Sequence, residues 1–230
     1  MNTILIKIGG SLLYNDKLAF NFDVIKKFTN WFKNQEHYNS CIFVVGGGKL
    51  SRFITDQAKS EMQEDHLRHR IGLKVTQVNS ALVHGLFGEK ESRYFENMED
   101  LLSAFKENQP KISIIGGTRI GGSTDTTAAE IASNLGISFI YKVSNIDYIY
   151  TNDPTLDANA KPYEKLSWEQ YIKLFEEKFS QGHKPGMNIP VDFKCASFAQ
   201  ENGLCFRVCG GIDLDKKEFG EVLNRGTVIE

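Results

Sequence analysis

Three apolar segments of this 230-residue chain stop directly at glycine. Residues 4–8 run into Gly9-Gly10, residues 42–45 into Gly46-Gly47-Gly48, and residues 112–115 into Gly116-Gly117. Amphipathic segments at helical spacing lie between them. This alternation predicts an α/β fold with a mainly parallel sheet wrapped by helices. In a parallel sheet such junctions gather at one edge, the strand C-termini, where ligands bind.

The remaining pattern fills out that frame. Val24, Ile25, Phe28, Trp31 and Phe32 share one helical face. The helix opening at the glycine triplet is expected to turn Leu50, Phe53 and Ile54 inward. A long helix over 71–86 is expected to carry Val75, Val78 and Leu82 as its apolar stripe, either core or interface. Met98, Leu101, Leu102 and Phe105 mark another helix. Thr124 or Asp125 can cap a helix carrying Ala128, Ile131, Ala132 and Leu135, with Gly136 closing it. A strand follows at 139–143. Ser167 with Gln170 forms a capping box for a helix burying Trp168, Tyr171, Ile172, Phe175 and Phe179. Asp192 opens a helix that Gly203 ends, and strands at 204–208 and 227–229 finish the sheet. No linker or repeat divides residues 1–230, which are read as one domain.

Composition removes several classes of function. Hydrophobic residues make up 41% and charged residues 24%, enough for a sizeable core. A net charge of −2 gives no bulk attraction to nucleic acid or anionic membrane. No apolar run approaches the roughly 20 residues that span a bilayer. The apolar start at residues 3–6 is too short for a signal-peptide core. Cys41, Cys195, Cys205 and Cys209 form no C-x-x-C pair and are read as reduced thiols, which places the chain in the cytoplasm.

The junctions carry chemistry suited to phosphate. Glycine lets the backbone approach a ligand, and its free N–H groups can donate to phosphate oxygens. Lys7, on the strand just before the first junction, can project a point charge over such a group. Arg52 lies about one helical turn beyond the glycine triplet, and its fork suits a phosphate bidentately. The third junction, residues 116–125, combines glycines with the hydroxyls of Thr118, Ser123 and Thr124 just before a helix. Standard nucleotide motifs are missing. Phe43 stands where a Walker A motif needs glycine, and Ser51 where a Rossmann fingerprint needs its third glycine.

Seven markers in order carry a resemblance over nearly the whole chain. They are Lys7-Ile8-Gly9-Gly10-Ser11; Val45-Gly46-Gly47-Gly48 with Arg52; Ile71-Gly72 with Val78-Asn79-Ser80-Ala81-Leu82; and Gly122-Ser123-Thr124-Asp125 with Ala128-Ala129. Asn145-Ile146-Asp147 with Ile149-Tyr150-Thr151-Asn152-Asp153-Pro154, Pro190-Val191-Asp192, and Gly226-Thr227 complete the series. With these the chain resembles the amino-acid-kinase superfamily and, within it, the UMP kinases of bacteria and archaea. The resemblance implies a three-layer αβα sandwich that transfers a phosphoryl group from ATP, accompanied by Mg²⁺, to UMP. It implies that Lys7 bridges the transferring phosphoryl oxygens, that Gly10 and Ser11 touch them, and that Gly48 and Arg52 contact phosphate. Gly47 and the stretch Thr118, Gly121, Gly122, Ser123 and Thr124 would hold the acceptor. Ser144, Tyr150 and Asp153 would hold ATP. Asp192 would orient the lysine or the metal-phosphate group. A homohexamer built from dimers is also implied.

One position departs from that pattern. UMP kinases usually place an aspartate two residues before the Ile71-Gly72 pair, against the acceptor ribose; here it is His69, with Asp65 one turn earlier. His66 and His69 are read as solvated or capping histidines, and no protein metal site is expected. Two alternatives stay open: a related kinase with another small phosphate or carboxylate acceptor, and a non-catalytic nucleotide or oxyanion binder.

Overall fold

The computed structural model describes residues 2–154, 156–176, 189–211 and 218–230. Strand β1 (Thr3–Ile8) passes through a short 3-10 turn (Gly10–Leu12) to helix α1 (Phe22–Asn34). Strand β2 (Ser40–Val45) leads into α2 (Gly48–Ala58) and the long α3 (Asp65–Phe87). Then come β3 (Arg93–Phe95), α4 (Met98–Asn108), β4 (Ile112–Ile115), α5 (Thr124–Leu135) and β5 (Phe139–Ser144). Strands β6 (Ile149–Tyr150) and β7 (Pro162–Tyr163) pair as a separate antiparallel ribbon. The chain continues through β8 (Lys165–Leu166), α6 (Trp168–Leu174), α7 (Phe193–Glu201), β9 (Cys205–Gly210), α8 (Phe219–Leu223) and β10 (Thr227–Ile229).

The main sheet has the order β3-β4-β2-β1-β5-β9-β10-β8. From β3 to β9 the neighbours are parallel; β10 runs antiparallel to β9, with β8 parallel to β10. The sheet is therefore mainly parallel, as the glycine-ended strands predict. Strand periodicity splits the core between the two faces. Ile4, Ile6 and Ile8 pack with Phe28 and Phe32 of α1, Val83 and Phe87 of α3, and Phe219 and Val222 of α8. Leu5, Ile42, Val44 and Ile140 pack on the other face, with residues of α4, α5, α6 and α7. Helices on both sides of one sheet make three layers.

Local signals explain most boundaries. Ser167 and Gln170 form the expected capping box, and Gly136 closes α5 in the left-handed conformation at φ 67°. Asp192 caps α7 by accepting from the Cys195 N–H at 3.1 Å. Phe179 lies outside the described residues.

Three expectations fail. The cap of α5 is Ser123, not Thr124 or Asp125; its hydroxyl accepts from the Thr126 N–H at 3.0 Å. On α2, Phe53 is half exposed rather than inward, because that helix packs on α3 only through a shallow face and buries no residue completely. On α3, Val75 is buried but Val78 is 53% and Leu82 39% exposed. The buried row is Val75, Thr76, Asn79, Ser80, Val83 and Phe87. Its three polar members hid the inward face from a hydrophobic reading.

Candidate active site

Lys7 and Lys142 are register partners on the adjacent parallel strands β1 and β5. By strand alternation each shares the face of the apolar residue two positions earlier, Leu5 or Ile140. That face is covered by α5, so both ammonium groups are buried, with 7% and 6% of the residues exposed. Two buried like charges side by side need an anion between them. The first turn of α5 supplies it. Asp125 Oδ1 lies 3.0 Å from Lys7 Nζ, and its Oδ2 pairs with Lys142 Nζ, which also donates to the Pro190 carbonyl. The helix N-terminus further favours a carboxylate there.

The electrostatics of this triad are strongly coupled. Burial drives Lys7 below the ordinary lysine range; Asp125 resists that fall and the Lys142 ammonium adds to it. Burial also works against the charge of Asp125, yet Lys142 and then Lys7 outweigh it and hold the carboxyl below its usual range. The result is a dry pair of cations sharing one anion, with net positive charge at the edge where the strands end.

The glycine junctions interlock around this edge. The Gly9 N–H donates to the Val143 carbonyl at 2.7 Å, and the Gly46 N–H to the Ile8 carbonyl at 3.0 Å, so both loops leave the sheet in register. Gly48 has φ +61°, and a Cβ there would stand 2.0 Å from the Gly10 carbonyl; a Cβ on Gly10 would stand 2.3 Å from Gly48 N. Only glycine allows the two backbones this approach. Gly48→Ala is expected to cost roughly 2–4 kcal/mol from left-handed strain plus overpacking. Gly121→Ala, at φ +77° with open space around it, should cost only about 1–2 kcal/mol. Urea unfolding of the two variants checks the contrast.

Other expected site residues surround this centre. Asp192 and Asp125 lie on different helices joined through Ser123, whose hydroxyl donates to the Asp192 carboxylate while capping α5. The carboxylate paired with Lys7 is thus Asp125; of the two roles expected of Asp192, at the lysine or at the metal-phosphate group, the first is taken by Asp125 and the second stays with the proposal below. Ser11 donates to Asn145 Oδ1 at 3.4 Å, and Ser144 is buried at the end of β5. Thr118, Gly121 and Gly122 lie in the run between β4 and α5, and Thr124 is the first residue of α5. Arg119 of that run is paired with Glu130. Gly47 precedes α2, and Arg52 is exposed on it. Tyr150, on the β6–β7 ribbon, rests its hydroxyl on the Asp147 carboxylate at 3.2 and 3.3 Å. The Asp153 carbonyl accepts from the N–H groups of Leu156 and Asp157 in the turn after β6. His69 is exposed near the start of α3, while Asp65 is engaged by Arg68.

Sequence reasoning missed Asp125 as a charge partner and Lys142 altogether. One signal was available: Lys142 sits in a strand expected to be covered on both faces, where a lysine must find a partner.

A parallel sheet whose glycine-rich C-terminal edge holds a buried lysine pair defines a phosphate-handling α/β protein. The Amino acid kinase family model matches residues 2–209, and the chain belongs to that family. It is 29% identical over 211 residues to the uridylate kinase of Pyrococcus abyssi, covering 91% of each chain. It is 30% identical over 231 residues to that of Thermococcus onnurineus, covering 99% of each. Among solved structures, the uridylate kinase of Archaeoglobus fulgidus aligns over 100% of both chains with a TM-score of 0.74 and 24% identity. The UMP kinase of Bacillus anthracis aligns over 100% of this chain and 96% of its own, with a TM-score of 0.76 and 20% identity. These two likenesses concern the fold.

Proposed function

We propose that this protein is a UMP kinase that transfers the γ-phosphoryl group of ATP to UMP, giving UDP for pyrimidine nucleotide biosynthesis. The observation that carries the reading is the Lys7–Asp125–Lys142 triad set among three glycine junctions. Phosphoryl transfer asks a protein mainly for positioning and charge neutralisation. The acceptor phosphate is itself the nucleophile, so no activating base is required. The two buried ammonium groups neutralise charge spreading over the transferring oxygens. Asp125 keeps both lysines extended towards the strand ends. Backbone N–H groups of Gly10 and Gly48 face the phosphates, and Arg52 of α2 closes over them from solvent. Thr118, Gly121, Gly122, Ser123 and Thr124, with Gly47 and His69, hold the acceptor. Ser144, Tyr150 and Asp153 hold the nucleoside of ATP.

Magnesium fits this donor set as a partner of the ATP phosphates, since hard oxygen ligands and few carboxylates suit it. Asp125 is engaged on both oxygens by lysine, whereas Asp192 is held only by neutral donors, the Ser123 hydroxyl and the Cys195 N–H, so Asp192 is the carboxylate that would approach the ion. When bound, magnesium neutralises phosphate charge.

Residues 1–230 act as one catalytic domain, supported by the continuous eight-stranded sheet. The exposed Val78 and Leu82 on α3 support assembly through that helix, as dimers within a hexamer. Four unpaired thiols support a cytoplasmic location.

Coupled ADP release with MgATP tests the reading against UMP, CMP, dUMP, acetylglutamate and isopentenyl phosphate. Preference for UMP by at least tenfold in kcat/KM is expected, with His69 serving at the ribose. Turnover only with another acceptor keeps the phosphoryl transfer and replaces the substrate. ATP binding without any turnover favours a binding protein.

A further inference from the structure

Two of the three buried polar side chains of helix α3 lie one turn apart, and each holds a different glycine junction. Asn79 is fully buried; its amide nitrogen donates to the Gly46 carbonyl at 2.8 Å and the Gly47 carbonyl at 3.2 Å. Its amide oxygen accepts from the Tyr14 hydroxyl at 2.7 Å. Tyr14 is itself buried and lies just beyond the first junction. Thr76, 8% exposed, donates to the Leu73 carbonyl at 2.7 Å and accepts from the Gly117 N–H at 2.8 Å. Gly116 rests directly on this point, since a Cβ there would meet Thr76 Oγ1 at 2.8 Å and the Thr76 backbone at 2.9 Å.

We propose that Asn79, oriented by Tyr14, and Thr76 are positioning residues for phosphoryl transfer, making α3 the strut that sets the second and third glycine junctions relative to each other. The argument is geometric. In a trans peptide the C=O and the following N–H point in opposite directions. By drawing the Gly46 and Gly47 carbonyls towards α3, Asn79 turns the N–H groups of Gly47 and Gly48 the other way, into the cleft. By taking the Gly117 N–H, Thr76 fixes the peptide at which the acceptor run leaves β4. A fully buried asparagine with both donors and its acceptor oxygen engaged is costly to place for packing alone. Both of its donated bonds go to main-chain carbonyls of the second junction, and its oxygen takes the Tyr14 hydroxyl. Catalysis by preorganised donors is sensitive to misplacement of about 1 Å, which can cost about a hundredfold in rate.

The inference rests on the kinase reading, and its test separates the two. Steady-state kinetics with MgATP and UMP, calorimetric MgATP affinity and thermal melting are measured for wild type, Asn79→Asp, Tyr14→Phe, Thr76→Val and Thr76→Ser. Asn79→Asp puts an acceptor where a donor is needed and is expected to lower kcat about a hundredfold in folded protein. Tyr14→Phe removes only the hydroxyl that orients Asn79 and is expected to lower kcat about tenfold, which keeps the test open if the aspartate variant does not fold. Thr76→Val is expected to raise KM for UMP about tenfold with KM for ATP within twofold, and Thr76→Ser to restore it. Changes in melting temperature with kcat and both KM values within twofold of wild type would overturn the proposal, since that is what a purely structural role predicts. If wild type itself turns over no acceptor, the kinase reading fails. The strut then stands on MgATP affinity: a tenfold loss in Asn79→Asp supports it, and unchanged affinity overturns it.

Discussion

Asp125→Asn should lose about 3–5 kcal/mol of stability, because it leaves two buried ammonium groups without their shared counter-charge. The wild-type carboxylate lies between Lys7 and Lys142, with every group of the triad removed from solvent. Asparagine keeps the shape but can compensate neither cation. The variant escapes part of the cost by releasing a proton, and Lys7, already displaced below its ordinary range by burial, is the group to release it. The sign of the pH dependence follows. A lysine whose folded pKa is lowered binds fewer protons in the folded state than in the unfolded one, so stability rises with pH between its folded and unfolded values. Asp125→Asn removes the interaction that held the Lys7 pKa up, which widens that window downwards. Chemical denaturation from pH 6 to 9 should show the variant recovering stability with increasing pH more steeply than wild type. Wild type alone should show the opposite edge. Its Asp125 carboxyl is held below the unfolded value of 3.8, so the stability it contributes is complete above that value and is lost as pH falls through the lower folded pKa. A variant as stable as wild type, with a flat pH profile, would contradict the buried triad.

Lys7→Met is expected to separate turnover from folding in the other direction. The substitution removes one ammonium but leaves Asp125 paired with Lys142, so no buried charge is stranded. A triad with net positive charge becomes a neutral Asp125–Lys142 pair, which avoids the cost of an uncompensated buried charge. The melting temperature should therefore match or slightly exceed that of wild type. Turnover should fall about a thousandfold, roughly 4 kcal/mol of barrier, because the cation nearest the transferring phosphoryl group is gone and no solvent cation replaces it in a dry site. MgATP affinity should change far less, since glycine N–H groups, Arg52 and the nucleoside contacts remain. Coupled-assay kcat alongside calorimetric ATP binding gives both values. A parallel loss of binding and turnover would mean that Lys7 serves ground-state binding; undiminished turnover would remove it from the chemistry.

These variants bear on Lys142 as well. It stands opposite Lys7 in the sheet and shares its anion, so the site has two buried lysines where the motif-based reading had Lys7 alone, with Arg52 beside it. Arg52, exposed on α2, remains a third charge that can approach from the solvent side.

The strand–helix alternation, the glycine junctions, the capping box at Ser167, the Asp192 cap and the placement of Lys7 at a strand end were all legible in the order of the residues. These are local properties: hydrophobic period, capping chemistry and the conformational freedom of glycine are written in consecutive residues. The membership of the chain in its family was legible for the same reason, because motifs in order along the chain need no coordinates. Tertiary structure alone decided which carboxylate meets Lys7. Asp125 reaches it because β1 and β5 align Lys7 with Lys142 and because Ser123, rather than a later residue, caps α5, which turns Asp125 inward on the first turn. It also decided the face of α3. Val78 and Leu82 are more hydrophobic than Thr76 and Asn79, yet they face outward, because the buried polar pair is stabilised by backbone groups of loops distant in sequence. Hydrogen bonds to those loops offset the desolvation of Thr76 and Asn79, and no periodicity along one helix records a partner held by another strand.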